Sequence, residues 1–227
     1  MRAARILLGL VVVFSLTTTS QANLLVNGDF EAGNTGFTSG YTFVPNNVTN
    51  SAEGIYSVGA NPTLVNAAFV TPSGISGAPV SNSPLPGGQM LFVNGSSTPT
   101  TVYSQTVSGL TVNTTYLFSG YLASLDNLGP AVLTITAGST TLFSGLIAPL
   151  TAGTFSGFQT SFNSGASTSL TFSIVDTNTA ASGNDFALDS LALNASAVPE
   201  PTSFALMGAG VLGLGVVAGR IRRKATA

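Results

Sequence analysis

From Asn23 to Val198 the chain contains no Lys, Arg, His, Cys or Trp. A fold built from this segment therefore has no basic partner for its acids and no disulfide bonds, and hydroxyl and amide groups must solvate its surface. All six basic residues of the protein lie in the two terminal segments, 1–22 and 220–227. The carboxylates of the middle segment are Asp29, Glu31, Glu53, Asp126, Asp176, Asp185 and Asp189. The sequence thus divides into an acidic, polar domain and two basic ends.

This composition excludes several classes of function for the middle segment. Without cationic side chains the domain cannot neutralise phosphates, which argues against nucleic acid and anionic lipid as partners. A Ser-His-Asp triad, a Cys nucleophile, a Schiff-base Lys and a His-ligated metal cannot be built. A carboxylate pair of the glycosidase type remains as a distant alternative, but the Trp, Arg and His that usually surround a bound sugar are absent. We therefore predict a protein that is not an enzyme.

Residues 1–22 have the pattern of a secretory signal peptide. Arg2 and Arg5 provide the positive start, and residues 6–16 form an apolar core too short to span a bilayer. The segment ends in Ser20-Gln21-Ala22, a small-x-small cleavage site. Cleavage after Ala22 would leave a mature chain that begins at Asn23, and the alternative of an uncleaved anchor needs a longer apolar run.

The C-terminal segment has three parts in a fixed order. Residues 195–201 form a hinge that ends in the motif Val198-Pro199-Glu200-Pro201, and residues 202–219 are uncharged. These eighteen residues reach about 27 Å as a helix, which predicts a short transmembrane helix. The basic tail 220–227 follows, and it should remain cytoplasmic and leave the domain outside. The basic residues of the tail that complete the motif are Arg220, Arg222 and Arg223.

This order resembles the PEP-CTERM sorting signal of Gram-negative bacteria that make exopolysaccharide. The resemblance implies an exosortase as partner, cleavage near Pro199-Glu200-Pro201, and association with exopolysaccharide. It also implies that the precursor is anchored in the inner membrane before the domain reaches the cell surface or the extracellular matrix. The alternative from the residues alone is an ordinary tail anchor that is never cut.

The middle segment has the pattern of a single all-β domain, residues 23–194. Short runs rich in β-branched and aromatic residues alternate with Gly, Asn, Pro and Ser clusters, which favours a jelly-roll-like antiparallel β-sandwich. Residues 72–88 are rich in Pro, Gly and Ser and predict a long loop. The predicted strands are 23–30, 63–69, 89–94, 101–107, 115–123, 131–136, 140–143, 158–162, 169–175 and 186–193.

Two motifs resemble a known fold family. The segment from Asn23 to Glu31, with Gly33 after it, is similar to the opening strand of galactose-binding-like jelly rolls, which include many carbohydrate-binding modules. The segment from Asn184 to Leu191 is similar to their closing strand. The chain departs from the family where Gly36-Phe37 replaces a frequent Trp and where Asp189-Ser190 replaces a frequent Asp pair. The resemblance implies a structural calcium between the first and last strands, with Glu31 and Asp189 as its main ligands.

The residues add a physical argument for a cation. Asp29 and Glu31 are two positions apart on a predicted strand, and Asp185 and Asp189 are four apart, so each pair shares a face if its strand is unbroken. Acids that converge without a basic partner need protonation, hydrogen bonds or a cation to relieve their repulsion, and calcium prefers oxygen ligands. The alternative is that Asp29 caps a turn and Asp185 lies in an exposed loop. The nearby sequence Asp176-Thr177-Asn178-Thr179 predicts a side-chain-stabilised turn.

Sugar binding would need exposed aromatic rings beside hydroxyl or amide groups. The candidate stacking residues are Tyr41, Tyr56, Tyr103 and Tyr121. The leading hypothesis is therefore a non-enzymatic exported matrix protein, and the alternative is a carbohydrate-binding module with a structural calcium.

Overall fold

The computed structural model describes residues 22–80, 83–180 and 182–196. The predicted signal sequence up to Gln21, the Pro-Glu-Pro motif, the transmembrane helix and the basic tail lie outside the described residues. Within these three ranges, no helix is both long enough and apolar enough to cross a membrane.

Eleven strands are formed by the described part of the chain. In chain order they are β1 (Thr42–Phe43), β2 (Ile55–Gly59), β3 (Ile75–Ser76), β4 (Met90–Asn94), β5 (Thr100–Ser108), β6 (Thr115–Ser124), β7 (Val132–Ala137), β8 (Thr140–Ile147), β9 (Phe155–Asn163), β10 (Ser169–Asp176) and β11 (Phe186–Ala195).

The strands form two sheets that pack as a sandwich. The larger sheet has seven strands in the order β1-β2-β4-β11-β6-β9-β3, and the smaller has four in the order β5-β10-β7-β8. All pairings are antiparallel except the two edge pairs β1–β2 and β3–β9, which are parallel. The prediction of an all-β, jelly-roll-like sandwich is confirmed.

Eight of the ten predicted strands coincide with observed ones, from β4 to β11. Side chains along β6 alternate between the two faces of the larger sheet. Tyr116, Phe118 and Leu122 face the space between the sheets, whereas Tyr121 faces the opposite side. The two faces of β6 therefore pack in different apolar clusters.

Two strand predictions are wrong. Residues 23–30 form a series of turns, in which Asn27 and Phe30 have positive φ angles of 53° and 57°. The Asn27 side chain stabilises the loop that follows, since its Oδ1 accepts from Ala32 N at 2.9 Å and its Nδ2 donates to Gly33 O at 2.8 Å. Residues 63–69 are likewise not a strand, because they overlap a 3₁₀ turn, Pro62–Leu64, and further turns.

The turns of the N-terminal segment are fastened to the last strand. Leu24 N donates to Leu193 O at 2.9 Å, and Leu191 N donates to Gly28 O at 2.7 Å. The Asn23 side chain adds two bonds, because its Oδ1 accepts from Leu193 N and its Nδ2 donates to Leu191 O. The N-terminal residues thus occupy the position expected of an opening strand without strand geometry.

Two apolar cores result from this architecture. The larger lies between the sheets and contains Phe30, Phe118 and Phe172, with the last two rings stacked at 5.5 Å. The smaller lies on the outer face of the seven-stranded sheet, where Val65 and Phe69 are part of the same apolar cluster as Phe92, Tyr121 and other sheet residues. The loop region between β2 and β4 therefore covers one outer face, while the outer face of the four-stranded sheet is left uncovered.

We expect Gly28→Ala to destabilise the domain by about 1–3 kcal/mol. A Cβ at Gly28 would lie far inside van der Waals contact with the Leu191 carbonyl oxygen, and this oxygen cannot move without disturbing β11. The control is Gly87→Ala, whose Cβ would meet no atom within 4 Å and which should change stability by about 0.5 kcal/mol or less. Urea unfolding of residues 23–196 with chelator present would measure both, and equal effects would contradict the packing argument.

Candidate functional site

Glu31 and Asp189 meet at the short segment Gly87-Gly88-Gln89. Gln89 N donates to Glu31 Oε1 at 2.7 Å, and the Gln89 side chain donates to Glu31 O at 3.0 Å. Gly87 N donates to Asp189 Oδ2 at 3.0 Å. Residues separated by more than 150 positions in the sequence therefore reach the same three-residue segment. We call this arrangement the acid site.

Asp189 is buried, whereas Glu31 is exposed. The second carboxylate oxygen of Asp189, Oδ1, accepts a hydrogen bond from Ser190 N at 2.5 Å. Burial, with a smaller contribution from the charge of Glu31, raises the pKa of Asp189 to about 7 against the lowering effect of the Gly87 and Ser190 hydrogen bonds. The ionised form is therefore only partly compensated by the protein itself.

The donor set of the acid site suits a hard cation. It offers two carboxylates from separate elements and no basic side chain. Gly88, with φ of +73°, lies against the Glu31 carboxylate so closely that a Cβ would overlap it. However, no group of three or more acidic side chains within metal-binding range is formed by the described residues. A calcium ion, which takes six to eight oxygens, would therefore need backbone carbonyls and water besides Glu31 and Asp189.

The other two predicted ligands do not join this site. Asp29 is exposed, and its expected alignment with Glu31 fails because residues 23–30 are turns. Asp185 lies just before β11, where its Oδ1 accepts from Gly95 N at 2.8 Å. Its four-residue separation from Asp189 corresponds to about 13 Å along an extended chain. The expectation that Asp185 and Asp189 share one ion is therefore corrected.

Asp185 instead belongs to a second acidic group with Asp126 and Glu53. Burial, with smaller contributions from the Asp126 hydrogen bond and charge and from the charge of Glu53, raises the pKa of Asp185 to about 8. Asp185 is buried, which also overturns the alternative of an exposed loop position.

A third buried acid, Asp176, accepts a hydrogen bond from the Tyr41 hydroxyl at 3.2 Å. Burial raises the pKa of Asp176 to about 6. Asn178 N donates to Asp176 Oδ1, and Ala180 N donates to Asn178 Oδ1, each bond spanning two residues. The predicted side-chain-stabilised turn at this position is thus confirmed.

The predicted sugar-stacking residues require a correction. The rings of Tyr41, Tyr56, Tyr103 and Tyr121 are all buried, with at most 8% of any residue exposed. Tyr103 stacks on Phe37 at 5.3 Å within the inter-sheet core, and the Tyr121 hydroxyl accepts from Val80 N. These rings are structural, because alternation on the strands turns them toward one or the other apolar core.

The uncovered outer face of the four-stranded sheet carries hydroxyl groups in rows. On β10, Phe172 and Ile174 point into the core, so Thr171 and Ser173 point outward. The outward residues of the four strands that carry hydroxyls, here called the hydroxyl face, are Ser104, Thr106, Ser108, Thr134, Thr136, Thr141, Ser144, Ser169, Thr171 and Ser173.

Register aligns these hydroxyls across the strands. Ser104, Ser173, Thr136 and Thr141 are successive partners on β5, β10, β7 and β8. Neighbouring rows contain fewer hydroxyls. In one of them, Thr171 Oγ1 on β10 lies 2.7 Å from Thr106 Oγ1 on β5. Adjacent strands are about 4.8 Å apart, so the face is a regular, uncharged array of donors and acceptors.

Sequence reasoning did not identify the hydroxyl face. The signal was present, because Ser-x-Thr-x-Ser occurs at residues 104–108 and again as Ser-x-Thr-x-Ser at 169–173. Which strands lie side by side, however, follows from the sheet order and not from either segment alone.

Comparison with known families identifies the tail. Residues 197–224 match the model of the PEP-CTERM protein-sorting motif. The predicted resemblance is thus confirmed, and the chain is an exported protein sorted through its C-terminal segment. Comparison with curated proteins finds no match.

Solved structures similar to the domain include carbohydrate-binding modules. The CBM22-1 xylan-binding domain from Paenibacillus barcinonensis Xyn10C is 16% identical, with a TM-score of 0.50, and the match covers 80% of this chain and 99% of that one. A cyclase from Fischerella sp. TAU is 16% identical at a TM-score of 0.48, covering 75% and 94%. The sugar-binding EclA C-terminal domain is 18% identical at 0.37, and the match covers 40% of this chain and 64% of that one. The similarity to the xylan-binding domain establishes the fold class.

The buried acids predict an unusual pH dependence. Without divalent cations, we expect residues 23–196 to become less stable as the pH rises from about 4 to about 8. A folded-state pKa above the unfolded one means that the native state holds more protons, so stability is present at low pH and is lost as the pH rises through the folded value. For Asp176 this loss is centred between its unfolded pKa of about 4 and its folded pKa of about 6.

Thermal unfolding between pH 4 and 8 would test this expectation. Asp176→Asn should flatten the part of the profile below pH 6, since an amide can still accept from Tyr41. Asp29→Asn, at an exposed position, is the matched control and should leave the profile unchanged. If the stability of the wild-type domain rises with pH in the presence of chelator, burial does not determine the pKa values of these acids.

Proposed function

We propose that this protein is a non-enzymatic component of the cell surface or extracellular matrix that associates with uncharged exopolysaccharide through its hydroxyl face. Exosortase cleavage near Pro199-Glu200-Pro201 would deliver the domain from the inner membrane. The observation that carries the proposal is the hydroxyl face, ten outward Ser and Thr residues on an uncovered sheet surface that also presents the apolar residues Val132, Val175 and Ile147. Its partner should itself be flat and neutral and should present hydroxyls at repeating intervals, as a polysaccharide chain does.

The chemistry of this face sets the expected affinity. Each hydroxyl–hydroxyl bond replaces bonds to water, so its net contribution is about 1 kcal/mol. No aromatic platform adds to it, because the candidate tyrosines are buried. A few such bonds give dissociation constants of about millimolar for a single domain. Retention in a matrix would then depend on many domains engaging one long polymer.

A structural calcium at the acid site is the second part of the proposal. Glu31 and Asp189 would be its side-chain ligands, and the ion would offset the repulsion that the two carboxylates otherwise experience. The support is the convergence of both acids on Gly87–Gln89 in a domain without a basic side chain.

A glycosidase remains the alternative function, since Glu31 and Asp189 form a carboxylate pair. Against it, Asp189 is buried and both of its oxygens accept backbone hydrogen bonds. A hydrolytic acid pair must reach opposite sides of a sugar bond, and a buried carboxylate held in this way does not reach one. Release of reducing ends from the host polysaccharide by purified protein would favour this alternative.

We expect chelation to lower the melting temperature of residues 23–196 by about 5–10 °C. An ion bound only by the native state at a hundred times its dissociation constant stabilises by about 2.7 kcal/mol, and each kcal/mol corresponds to about 2–4 °C for a domain of this size. Differential scanning calorimetry with calcium and with chelator would measure the shift.

Matched variants separate the acid site from the other carboxylates. Glu31→Gln and Asp189→Asn should each abolish the calcium-dependent shift, whereas Asp185→Asn and Asp29→Asn should keep it. An unchanged wild-type melting curve under chelation would remove calcium from the proposal and leave the hydroxyl face untouched.

We expect the double variant Thr106→Val/Thr171→Val to bind the producer's own polysaccharide about thirtyfold more weakly, for two lost hydrogen bonds of about 1 kcal/mol each. Valine keeps the β-branched shape of threonine, so the strands should be preserved while the hydroxyls are removed. Retention on immobilised polysaccharide by affinity electrophoresis would detect binding of about millimolar strength.

The control is Thr151→Val/Thr179→Val, which removes two exposed loop hydroxyls outside the hydroxyl face. It should bind as the wild type does. Equal retention of both double variants would contradict the assignment of the face, and an absence of retention for the wild type would contradict polysaccharide association itself.

A further inference from the structure

The last strand leads directly into the sorting motif. Ala195 pairs with Tyr116 at the end of β11, and Ser196 N donates to Thr115 O at 2.8 Å. Only five residues separate Ser196 from the end of Pro199-Glu200-Pro201, and five residues span at most about 17 Å when fully extended. The bonds available for cleavage therefore lie very close to the folded domain.

The domain is wider than this connection is long. A domain of its size has a radius of gyration of about 16 Å, which corresponds to a diameter of about 40 Å. An enzyme that cuts within the motif of the folded precursor must approach the end of the sandwich from which β11 emerges. That end is consequently a contact surface during processing.

Two turns that are bonded to each other flank this exit. Residues 109–114 join β5 to β6, and residues 164–168 join β9 to β10. Asn113 N donates to Gly165 O at 2.6 Å, and Ser164 Oγ donates to Thr111 O at 2.7 Å. We call these two turns the exit rim, which the mutual bonds make a single rigid element.

The exit rim carries no charged residue. The nearest residue of the acid site, Asp189, is six residues from Ala195, or about 20 Å along an extended strand. Asp185, with its neighbours Asp126 and Glu53, is ten residues away, or about 33 Å. The two carboxylates on β11 and in the loop before it, Asp189 and Asp185, thus lie toward the end of the strand away from the exit.

We propose that the exit rim is the docking surface for the membrane-embedded protease that cuts the sorting motif. The inference rests on the proposed exosortase processing and adds a second contact to it, outside the motif. An uncharged, rigid rim lets the enzyme approach without desolvating a carboxylate, and the short connection forces this approach on every molecule that has folded before cleavage.

Pulse-labelling of the full-length chain in its native host tests the inference. Val112→Asp and Ala166→Asp place a charge on exposed rim positions and should each slow conversion of precursor to mature protein about tenfold, the cost of one poorly compensated charge in the contact. Val112→Thr, which is neutral, should be processed at the wild-type rate. Leu128→Asp and Ala180→Asp add the same charge in loops near the opposite end and should also have no effect.

A spacer provides the decisive comparison. Twelve Gly and Ser residues inserted after Ser196 add a root-mean-square length of about 20 Å, which lets the rim move away from the enzyme. The spacer should restore the processing rate of Val112→Asp to within about twofold of the wild type.

Processing of the rim variants at the wild-type rate would overturn the inference, and so would slow processing that persists with the spacer. If the wild-type chain keeps residues 202–227 on surface-located protein, the proposed exosortase processing fails, and the inference fails with it. If the wild-type chain is cleaved normally and the rim variants are processed at the same rate, the inference is overturned while the proposed exosortase processing stands.

Discussion

The fastening of the N-terminal turns to β11 is the interaction on which the other features of the structure depend. β11 lies between β4 and β6 in the larger sheet, and the bonds from Leu24 and Gly28 hold the N-terminal segment along it. This contact places Phe30 in the inter-sheet core and Glu31 beside Gln89. The same strand contributes Asp189 and ends at the exit rim, so the core, the acid site and the route to the sorting motif share one element.

Because the domain has no basic residues, the negative charge of each buried acid can be stabilised only by hydrogen-bond donors, and these differ among the three acids. Asp176 is compensated by the Tyr41 hydroxyl and a turn amide, Asp185 by Gly95 N, and Asp189 by Gly87 and Ser190 amides. Backbone amides stabilise an anion only partly, and the pKa of each acid stays raised by burial. Asp185, with Asp126 and Glu53, and Asp189, with Glu31, each lie near carboxylates from distant segments. A cation is proposed at Asp189 because Glu31 and Asp189 both accept hydrogen bonds from the segment Gly87–Gln89 and are the two acids that the family resemblance implies as ligands.

Sequence periodicity predicted the strands from β4 to β11 because each has an apolar face that recurs every second residue. It failed for residues 23–30, where the Asn27 side chain bonds the loop that follows. It also missed β2, although β4 and β11, which are likewise buried on both faces, were predicted. The resemblance to jelly-roll motifs identified Glu31 and Asp189, which do converge. The strand-face argument misplaced Asp29 and Asp185, since it assumed shared strand faces where the chain turns or ends. The tyrosines were predicted to be exposed stacking residues, but their rings are buried in the two apolar cores. The second core forms where loops pack on the outer face of the sheet, and no local sequence pattern predicts that packing.

The proposed calcium and the route of export support each other physically. In a compartment with little free calcium, the two carboxylates of the acid site repel each other and the contact between Glu31, Asp189 and Gly87–Gln89 is weakened. Extracellular calcium modules bind with dissociation constants of about 10⁻⁴–10⁻³ M, so an ion would occupy such a site only after translocation. Because Glu31 follows the N-terminal turns and Asp189 lies on β11, a bound ion would link the N-terminal segment to the last strand. The domain would then reach full stability after translocation, where the sorting motif is cleaved.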